Sequence, residues 1–435
     1  GAFFNIVMAR ATRPGCYSGR VRRTRWLGPY RLLYRIASGG MAEIYRAVIT
    51  TPDGTPHDVA IKRLLPRYNE DEEFITMLAD EARITAELSH PNIAQVYEFG
   101  VVDGQHVLAM EFLDAVDLRS LLRRCREREQ PISPTLAVFI VEQALRGLHY
   151  AHTRVGPDGQ PMNVVHRDFS PSNLLVSFDG QVKLIDFGIA KARLNRSHTR
   201  GGIIKGKVKY MSPEQTLGRR LDARSDVFAA GVVLYYAVTG QLPFFAPSDA
   251  ELMVAIREQD PDPPSRQHPL LDPAFDALLL RALRKEPEAR YPGAADFADA
   301  LHAWLASRDP GCGADRLGRL VSRIFARERM EAELQAGECG FDDDPEPTPS
   351  QAARHYTRLV DPGHFTGSRL APDPRADVEA WLATRRHEDE DDSDDFWTAD
   401  AATHELPRRE DATNPHGSAS QTHGGADETT TRRAR

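Results

Sequence analysis

Two polar motifs separated by apolar segments constrain the fold of this chain more than any other feature. The first spans residues 166–173 (His-Arg-Asp-Phe-Ser-Pro-Ser-Asn), and the second spans residues 186–188 (Asp-Phe-Gly). Between them lie two short apolar runs, 174–176 and 182–185, which predict a β-hairpin. Such a hairpin brings three polar side chains to one edge: Asp168, Asn173 and Asp186.

The polar residues at this edge are of the types that phosphoryl transfer requires. That reaction needs metal ions across the phosphates and a carboxylate that orients the attacking hydroxyl. Asp168 is a candidate base, while Asn173 and Asp186 are candidate metal ligands. A lone Asp-Phe-Gly can occur by chance. Both motifs in this order, after a Val-Ala-Ile-Lys segment at 59–62, leave little room for a chance match.

Lys62 ends that segment and lies in a predicted apolar strand, where a charge must find a partner. The following helix, predicted from about Glu70 to Leu88, carries Glu81 on its apolar face. Lys62 and Glu81 can therefore pair, and the lysine can then contact the α- and β-phosphates of a nucleotide. The alternative is an ordinary structural ion pair, which the sequence alone leaves open.

A turn of small residues between two predicted strands is the candidate phosphate-covering loop. Its sequence is Ala37-Ser38-Gly39-Gly40, and the strand after it contains Ile44. Small side chains allow backbone N–H groups to approach phosphates closely. A Gly-Gly turn is also common in hairpins that bind no ligand, so this feature is weak by itself.

The order of strand-like and helix-like patterns predicts an α+β fold with two lobes. Residues 30–113 show short apolar alternations typical of antiparallel strands, with one helix among them. Residues 118–305 show mostly helical periodicity, and the helix at 226–238 is apolar nearly all round, which is typical of a buried central helix. We divide the chain into a flexible basic arm (1–28), the two-lobed domain (29–308), a helical extension (309–340) and a disordered acidic and polar tail (341–435).

Charge and cysteine content argue against several classes of protein. The 435 residues carry a formal net charge of −8, which does not indicate nucleic acid or an anionic membrane as the main partner. The 4 cysteines are scattered, which argues against a zinc site or a disulfide framework and fits a reducing compartment. No apolar run reaches about 18 residues, so no transmembrane segment is predicted and the expected location is cytoplasmic.

On these motifs the chain resembles the eukaryotic-like (Hanks-type) serine/threonine protein kinases of bacteria, over about residues 30–305. The resemblance implies the two-lobed protein kinase fold, with a small antiparallel sheet lobe containing one helix and a larger, mainly α-helical lobe. It also implies transfer of the γ-phosphate of ATP to Ser or Thr hydroxyls of protein substrates, with Mg²⁺ as the metal and Mn²⁺ as an alternative. Further segments match the family's pattern: His90-Pro91-Asn92-Ile93, Tyr210-Met211-Ser212-Pro213-Glu214, Asp222-Ala223-Arg224-Ser225-Asp226 with Gly231, and Arg290 within residues 285–291.

The resemblance implies a role for each polar candidate. Asp168 is the catalytic base in the family's pattern. Lys62 pairs with Glu81 and with the phosphates, while Asn173 and Asp186 hold the metal.

The resemblance also implies a structural frame and a nucleotide site. Glu214 and Arg290 form a buried ion pair under the substrate loop, and Asp226 ties the catalytic loop to the central helix. Met110 resembles the gatekeeper that precedes the adenine-contacting hinge. The implied nucleotide site draws on the turn and on both lobes: Ala37, Ser38, Gly39, Gly40, Ile44, Ala60, Lys62, Glu81, Met110, Glu111, Leu113, Asn173, Leu175 and Asp186.

The chain departs from the family's pattern in two places. Ala37 and Ala42 stand where the first and third loop glycines usually lie, so we expect weaker or slower nucleotide closure. Ser170 and Lys207 stand where serine/threonine kinases usually carry a lysine and a threonine, respectively. We interpret this as an exchange in which Lys207 reaches the γ-phosphate and Asp168, with Ser170 as its hydrogen-bond partner. Unrelated drift is the alternative, and the exchange weakens the assignment to Ser/Thr specificity.

Regulation is expected to involve residues 186–214, which contain Ser197 and Thr199 among basic residues. In this family an arginine at the position of Arg167 usually receives a phosphate from that segment. Autophosphorylation at Thr199 or Ser197 is therefore predicted, with self-association for transfer in trans. The acidic run 388–395 is a candidate for covering the basic segment, although a solvated tail is the favoured interpretation. The main alternative to an active enzyme is a pseudokinase that acts as a nucleotide-binding scaffold.

Overall fold

The structure is a computed structural model of the chain, and it describes residues 26–39, 41–50, 54–69, 71–156, 158–188 and 208–330. These residues form a small lobe built on a β-sheet and a larger lobe built mainly from helices. The rest of the predicted basic arm, up to residue 25, lies outside the described residues, as does the chain from residue 331, which includes the predicted tail.

The small lobe is built on a six-stranded antiparallel sheet. Its strands are β1 (Trp26–Leu27), β2 (Tyr30–Ser38), β3 (Ala42–Thr50), β4 (Pro56–Leu64), β5 (Val96–Val102) and β6 (Gln105–Glu111). Their spatial order is β1-β2-β3-β4-β6-β5, so β4 is a central strand. In β3 the buried residues Ile44 and Ile49 are an odd number of positions apart, so their side chains point to opposite faces of the sheet. Ile44 packs in a cluster with Leu175, and Ile49 packs with Ala47 in a separate cluster, so both faces of this strand are covered.

Helix α1 (Glu72–Ala86) packs against β5 on one face of this sheet. Asp71 caps the helix, since its carboxylate accepts a hydrogen bond from the backbone N–H of Phe74 at 3.0 Å. Phe74, Ile75 and Ala79 lie at helical spacing and are buried. The helix predicted from about residue 70 to residue 88 is therefore confirmed, with slightly shorter ends.

A second, three-stranded sheet joins the lobes. Its strands are β7 (Ala115–Asp117), β8 (Leu174–Ser177) and β9 (Val182–Leu184), in the order β7-β8-β9. The pairing of β8 with β9 confirms the hairpin predicted between the two polar motifs.

The large lobe packs around one central helix, α5. The helices are α2 (Leu118–Glu127), α3 (Pro134–Thr153), α4 (Pro213–Thr216), α5 (Ala223–Thr239), α6 (Asp249–Glu258), α7 (Pro273–Ala282), α8 (Ala294–Arg308) and α9 (Ala314–Ile324). Nearly every residue of α5 is buried, which confirms the prediction made from its all-round apolar pattern. It contacts α3, α7 and α8, so the core of this lobe is continuous around it.

Two boundaries differ from the predicted ones. The apolar pattern of residues 93–99 predicts a strand from Ile93, but β5 begins only at Val96. Ile93 instead forms a parallel bridge with Leu184 of β9, and the N–H of Ala94 donates to the carbonyl of Leu184 at 2.9 Å. The predicted arm, 1–28, runs too far, since Trp26 and Leu27 pair with β2. Pairing with distant parts of the chain decided where β5 begins and where the N-terminal arm ends. The local apolar pattern does not indicate such pairing.

Among the residues that the structure describes, no helix combines the length and the apolar character needed to cross a membrane.

Candidate active site

The β8–β9 hairpin places Asp168, Asn173 and Asp186 at one edge, as predicted. Asn173 Nδ2 donates to the backbone carbonyl of Asp168 at 2.7 Å and to its carboxylate Oδ2 at 3.0 Å. The backbone carbonyl of Asn173 accepts from the N–H of Ile185 at 3.1 Å, directly before Asp186. Asn173 therefore connects the two polar motifs by hydrogen bonds and fixes their relative position.

Asp226 at the start of α5 fixes the backbone of the first motif. Its carboxylate accepts hydrogen bonds from the N–H groups of His166 at 2.7 Å and Arg167 at 2.9 Å, and it lies 2.8 Å from His152 Nε2. Burial alone would raise the pKa of Asp226, but the hydrogen bonds from His152 and His166 outweigh it, so the pKa lies below its usual range. Arg167 has a left-handed backbone (φ 65°), which these bonds hold in place.

The second motif packs directly on the first. The ring of Phe187 lies 4.7 Å from the ring of His166, centroid to centroid, and both side chains are buried. Gly188 donates its N–H to the carbonyl of His166 at 2.8 Å. A Cβ at Gly188 would lie only 2.9 Å from the Cβ of Asp168, so a larger residue there would displace the catalytic loop.

Lys62 reaches from the small lobe to this edge. It lies in the central strand β4, and its Nζ is 3.1 Å from Asp186 Oδ1, with both side chains almost fully buried. Glu81 is half-buried on α1, and its predicted pairing with Lys62 stays a prediction. Asp186 itself has a left-handed backbone (φ 53°), which turns its carboxylate out of the strand direction.

An apolar cluster between the lobes contains four of the residues predicted to contact the nucleotide. Ile44 and Leu175 are buried in it, and Ala37 and Leu113 pack against it. Apolar side chains of this kind suit contact with a flat aromatic base.

The other predicted nucleotide residues are placed nearby in different ways. Ala60 and Met110 are register partners on β4 and β6, and both are buried in the cluster under α1. Glu111 has its carboxylate engaged by Lys183 at 2.8 Å, so its backbone, not its side chain, is the part suited to contact a base.

The small-residue turn connects β2 to β3 as predicted. Gly39 donates its N–H to the carbonyl of Ala42 at 2.8 Å, and Ser38 pairs with Glu43 in the strand register. Gly40 lies outside the described residues.

Of the two residues in the predicted exchange, the structure describes Ser170 but not Lys207. Ser170 precedes the short 3₁₀ turn Pro171–Asn173, and its carbonyl accepts from the N–H of Asn173 at 2.9 Å. Lys207 and the predicted phosphorylation sites Ser197 and Thr199 lie outside the described residues.

The predicted pair of Glu214 and Arg290 is confirmed and is nearly fully buried. The guanidinium donates to both carboxylate oxygens of Glu214, at 2.7 and 2.8 Å, and Ser225 Oγ donates to the same carboxylate at 2.6 Å. Burial would raise the pKa of Glu214, but the bonds from Arg290 and Ser225 lower it below its usual value. A cleft of about 380 Å³ beside this pair includes Glu214 in its lining, but none of the residues at the Asp168 edge.

Sequence reasoning missed two residues that position the backbone of the first polar motif. His152, at the end of α3, hydrogen-bonds to Asp226, and Gln215 Nε2 donates to the carbonyl of Arg167 at 2.8 Å. No sequence pattern marks either contact, because both join residues that are far apart in the chain.

The donor set at this edge fits a hard divalent cation completed by phosphates and water. Asn173 uses its amide nitrogen on Asp168, and carboxylate and amide oxygens such as those of Asp186 and Asn173 are the ligands that magnesium accepts. In the described part of the chain no group of three or more His, Cys, Asp or Glu side chains could hold a metal by itself. Magnesium is usually bound by one or two protein groups together with substrate phosphates. The lack of a three-residue metal group in the described residues is therefore compatible with a magnesium site at Asn173 and Asp186.

Comparison with known proteins gives one consistent result. The sequence matches the family model for a protein kinase domain over residues 30–304. It is 42% identical over 321 residues to the tyrosine-protein kinase MasK of Myxococcus xanthus, covering 74% of this chain and 50% of that protein. It is 36% identical over 293 residues to the serine/threonine-protein kinase PknH of Mycobacterium tuberculosis, covering 67% of this chain and 44% of that protein.

Among solved structures, the kinase domain of Mycobacterium tuberculosis PknI matches at 26% identity with a TM-score of 0.47, covering 64% of this chain and 96% of that chain. The chain spans about half the length of the curated relatives it matches. Since the family match includes both polar motifs, Lys62 and the Glu214–Arg290 pair, the chain belongs to the protein kinase family.

Proposed function

We propose that this chain is an active protein kinase that transfers the γ-phosphate of ATP to Ser or Thr hydroxyls of protein substrates. The observation that carries the proposal is the convergence of Asp168, Asn173 and Asp186 at one edge, with Lys62 3.1 Å from Asp186. A pseudokinase scaffold has no need for this complete set of polar groups, and no observation favours it.

The chain's own residues have distinct roles in this proposal. Asp168 accepts the proton of the attacking hydroxyl, and Asn173 holds its carboxylate in place through the 3.0 Å hydrogen bond. Lys62 contacts the α- and β-phosphates of the nucleotide, and its ion pair with Asp186 weakens when it does so. Asn173 and Asp186 would hold Mg²⁺, with Mn²⁺ as an alternative. The metal, when bound, neutralises charge on the phosphates.

The nucleotide base is proposed to lie in the apolar cluster between the lobes. Ile44 and Ala37 would cover it from the small lobe, and Leu175 would support it from the large lobe. The backbone of Glu111 and Leu113 would provide the polar contacts. The turn at 38–40 would cover the phosphates with backbone N–H groups.

Tyrosine is the second candidate acceptor. Ser170 replaces the lysine that usually marks Ser/Thr kinases, and one relative is named a tyrosine-protein kinase. We propose that Lys207 supplies the missing ammonium group from the substrate loop. We also propose that Thr199 is autophosphorylated, in trans between transiently associated copies.

The proposal is tested by phosphate transfer from labelled Mg-ATP to the protein itself and to a general basic protein. Asp168→Asn keeps the size of the side chain but removes the base, so incorporation is expected to fall by a factor on the order of 10² to 10⁴. Phosphate incorporation by Lys207→Ala is expected to lie between that of Asp168→Asn and that of the wild type. Mapping the labelled residues decides between Ser/Thr and Tyr, and tests Thr199.

Two outcomes contradict the proposal. Incorporation that is equal in Asp168→Asn and the wild type means that another protein carries the activity. ATP binding without any incorporation in the wild type replaces the kinase with the pseudokinase scaffold.

A further inference from the structure

The helix after the kinase family match packs against the hairpin that carries the nucleotide site. The match ends at residue 304, whereas α9 spans Ala314–Ile324 and the described chain continues to residue 330. We call residues 314–329 the α9 extension. Its apolar side chains face the large lobe and are buried: Leu317, Leu320, Val321, Ile324 and Phe325.

Two glycines allow the extension to touch the hairpin's backbone. A Cβ at Gly318 would lie 2.8 Å from the carbonyl oxygen of Phe178, just after β8, and a Cβ at Gly180 would lie 1.9 Å from the carbonyl oxygen of Ala314. Gly180 also has a left-handed backbone (φ 84°). At these two glycines the helix therefore lies directly against the main chain of the β8–β9 turn, and Ser322 Oγ also donates to the Phe178 carbonyl at 3.5 Å.

Arg329 contacts the residue before β7 and the residue after β8. Its guanidinium lies 3.1 Å from the carboxylate of Asp114 and 4.7 Å from the centre of the Phe178 ring. The N–H of Phe178 in turn donates to the carbonyl of Asp114 at 3.1 Å, extending the β7–β8 pairing. Arg329 thus contacts both partners of that hydrogen bond, and a cation above an aromatic face is favourable in its own right.

Glu328 fixes the same end of the extension to α2. Its buried carboxylate forms ion pairs with Arg124 and, at 3.6 Å, with Arg128. The neighbouring residues 328 and 329 therefore connect α2 on one side with the hairpin on the other.

The strands held in this way carry part of the nucleotide site. Asp114 follows Leu113 directly, and β8 contains Leu175. Both leucines belong to the apolar cluster between the lobes. We propose that the α9 extension is a positioning element for the nucleotide site, acting through Arg329. This inference rests on the proposed ATP-binding function.

The test compares Arg329→Ala with Arg319→Ala in the full chain. Arg319 is an exposed arginine on the same helix, so it controls for charge and for a surface truncation. Kd for ATP is measured with a fluorescent nucleotide, and KM for ATP and kcat are measured with labelled ATP. Arg329→Ala is expected to raise both Kd and KM about threefold while kcat stays within about twofold, since one half-exposed ion pair and one cation–π contact are lost. Arg319→Ala is expected to match the wild type.

A conservative variant separates positioning from general stability. Arg329→Lys retains the ion pair with Asp114 and a cation near Phe178, and is expected to recover most of the ATP affinity. Gly318→Ala, which must push the helix away from the Phe178 carbonyl, is expected to raise Kd at least as much as Arg329→Ala.

Each outcome decides a different point. Unchanged Kd in Arg329→Ala, or the same change in Arg319→Ala, overturns the inference, even if the thermal midpoint falls. A wild-type protein that binds no ATP overturns the proposed function together with it. A wild type that binds ATP and loses incorporation in Asp168→Asn keeps the kinase assignment, whatever Arg329 does.

Discussion

Two buried ion pairs of this protein kinase family member are built in different ways. Lys62 and Asp186 come from different parts of the domain and approach to 3.1 Å across the cleft between the lobes. Arg290 and Glu214 both lie in the large lobe and meet through two contacts of 2.7 and 2.8 Å. Arg290 also donates to the backbone carbonyls of three residues, Arg224, Arg284 and Lys285.

Burial does not separate these pairs, because all four side chains are almost fully buried. The two pairs differ in the geometry of the cationic group. A guanidinium is a planar fork that holds several acceptors at fixed angles, whereas an ammonium is a point charge on a flexible stem that can change its partner. We therefore expect Arg290 to serve stability, and Lys62 to exchange part of its contact with a carboxylate for contacts with phosphates.

The largest expected effect is on stability, from Arg290→Ala. This change leaves the carboxylate of Glu214 buried without its main counter-charge and removes the donor to three carbonyls. The free energy of unfolding is expected to fall by about 3–5 kcal/mol. Denaturant unfolding followed by circular dichroism measures it.

Arg290→Lys is the matched variant, because it keeps the charge and loses the fork. It is expected to be nearly as destabilised as Arg290→Ala. Wild-type stability in Arg290→Lys would show that charge alone matters and that the planar guanidinium is not required for this ion pair.

The next effect is on activity, from Lys62→Met. Methionine keeps much of the length and apolar stem of lysine but cannot contact phosphates. The rate of phosphate transfer is expected to fall by about a hundredfold or more, as when one preorganised electrostatic donor is removed. Kinetics on folded protein at saturating ATP measure it, with unfolding recorded in parallel.

Lys62→Met is expected to destabilise the protein less than Arg290→Ala. If Lys62→Met loses as much stability and retains activity in its folded fraction, then Lys62–Asp186 is the structural pair and the assignment is reversed.

The smallest effect is a pH dependence next to the Arg290 pair. Lys285 donates to the carbonyl of Ile256 at 2.8 Å and lies 3.9 Å from the centre of the Phe244 ring. Burial lowers the pKa of Lys285 from 10.5 to about 8. Between these two values the unfolded chain binds a proton that the folded chain lacks, so the free energy of unfolding gains a positive slope as pH rises. Below about pH 8 both states are protonated, and this contribution has no slope.

Lys285→Met is expected to remove that contribution. Unfolding measured at several pH values between about 8 and 10.5 should then show a flatter profile than the wild type. An unchanged slope would mean that Lys285 keeps its ordinary pKa in the folded protein.

Much of the fold and of the candidate active site could be predicted because the signals are local. The hairpin between the motifs, the helix carrying Glu81 and the apolar helix α5 each follow from residues close together in sequence. Contacts of His152 with Asp226, and of Gln215 with the Arg167 carbonyl, could not be predicted in this way. Each of these contacts joins residues far apart in the chain, and the local capping box of Gln215 with Ser212 does not indicate the contact with Arg167.

The sequence by itself determined the kinase family, the order of the two polar motifs and the identity of the groups at the catalytic edge. Only the tertiary structure decided that residues beyond the family match contact the β8–β9 hairpin, through Gly318 and Arg329. The physical reason is that backbone preference and apolar periodicity act over a few residues, whereas the approach of α9 to the β8–β9 turn depends on packing between surfaces from distant parts of the chain.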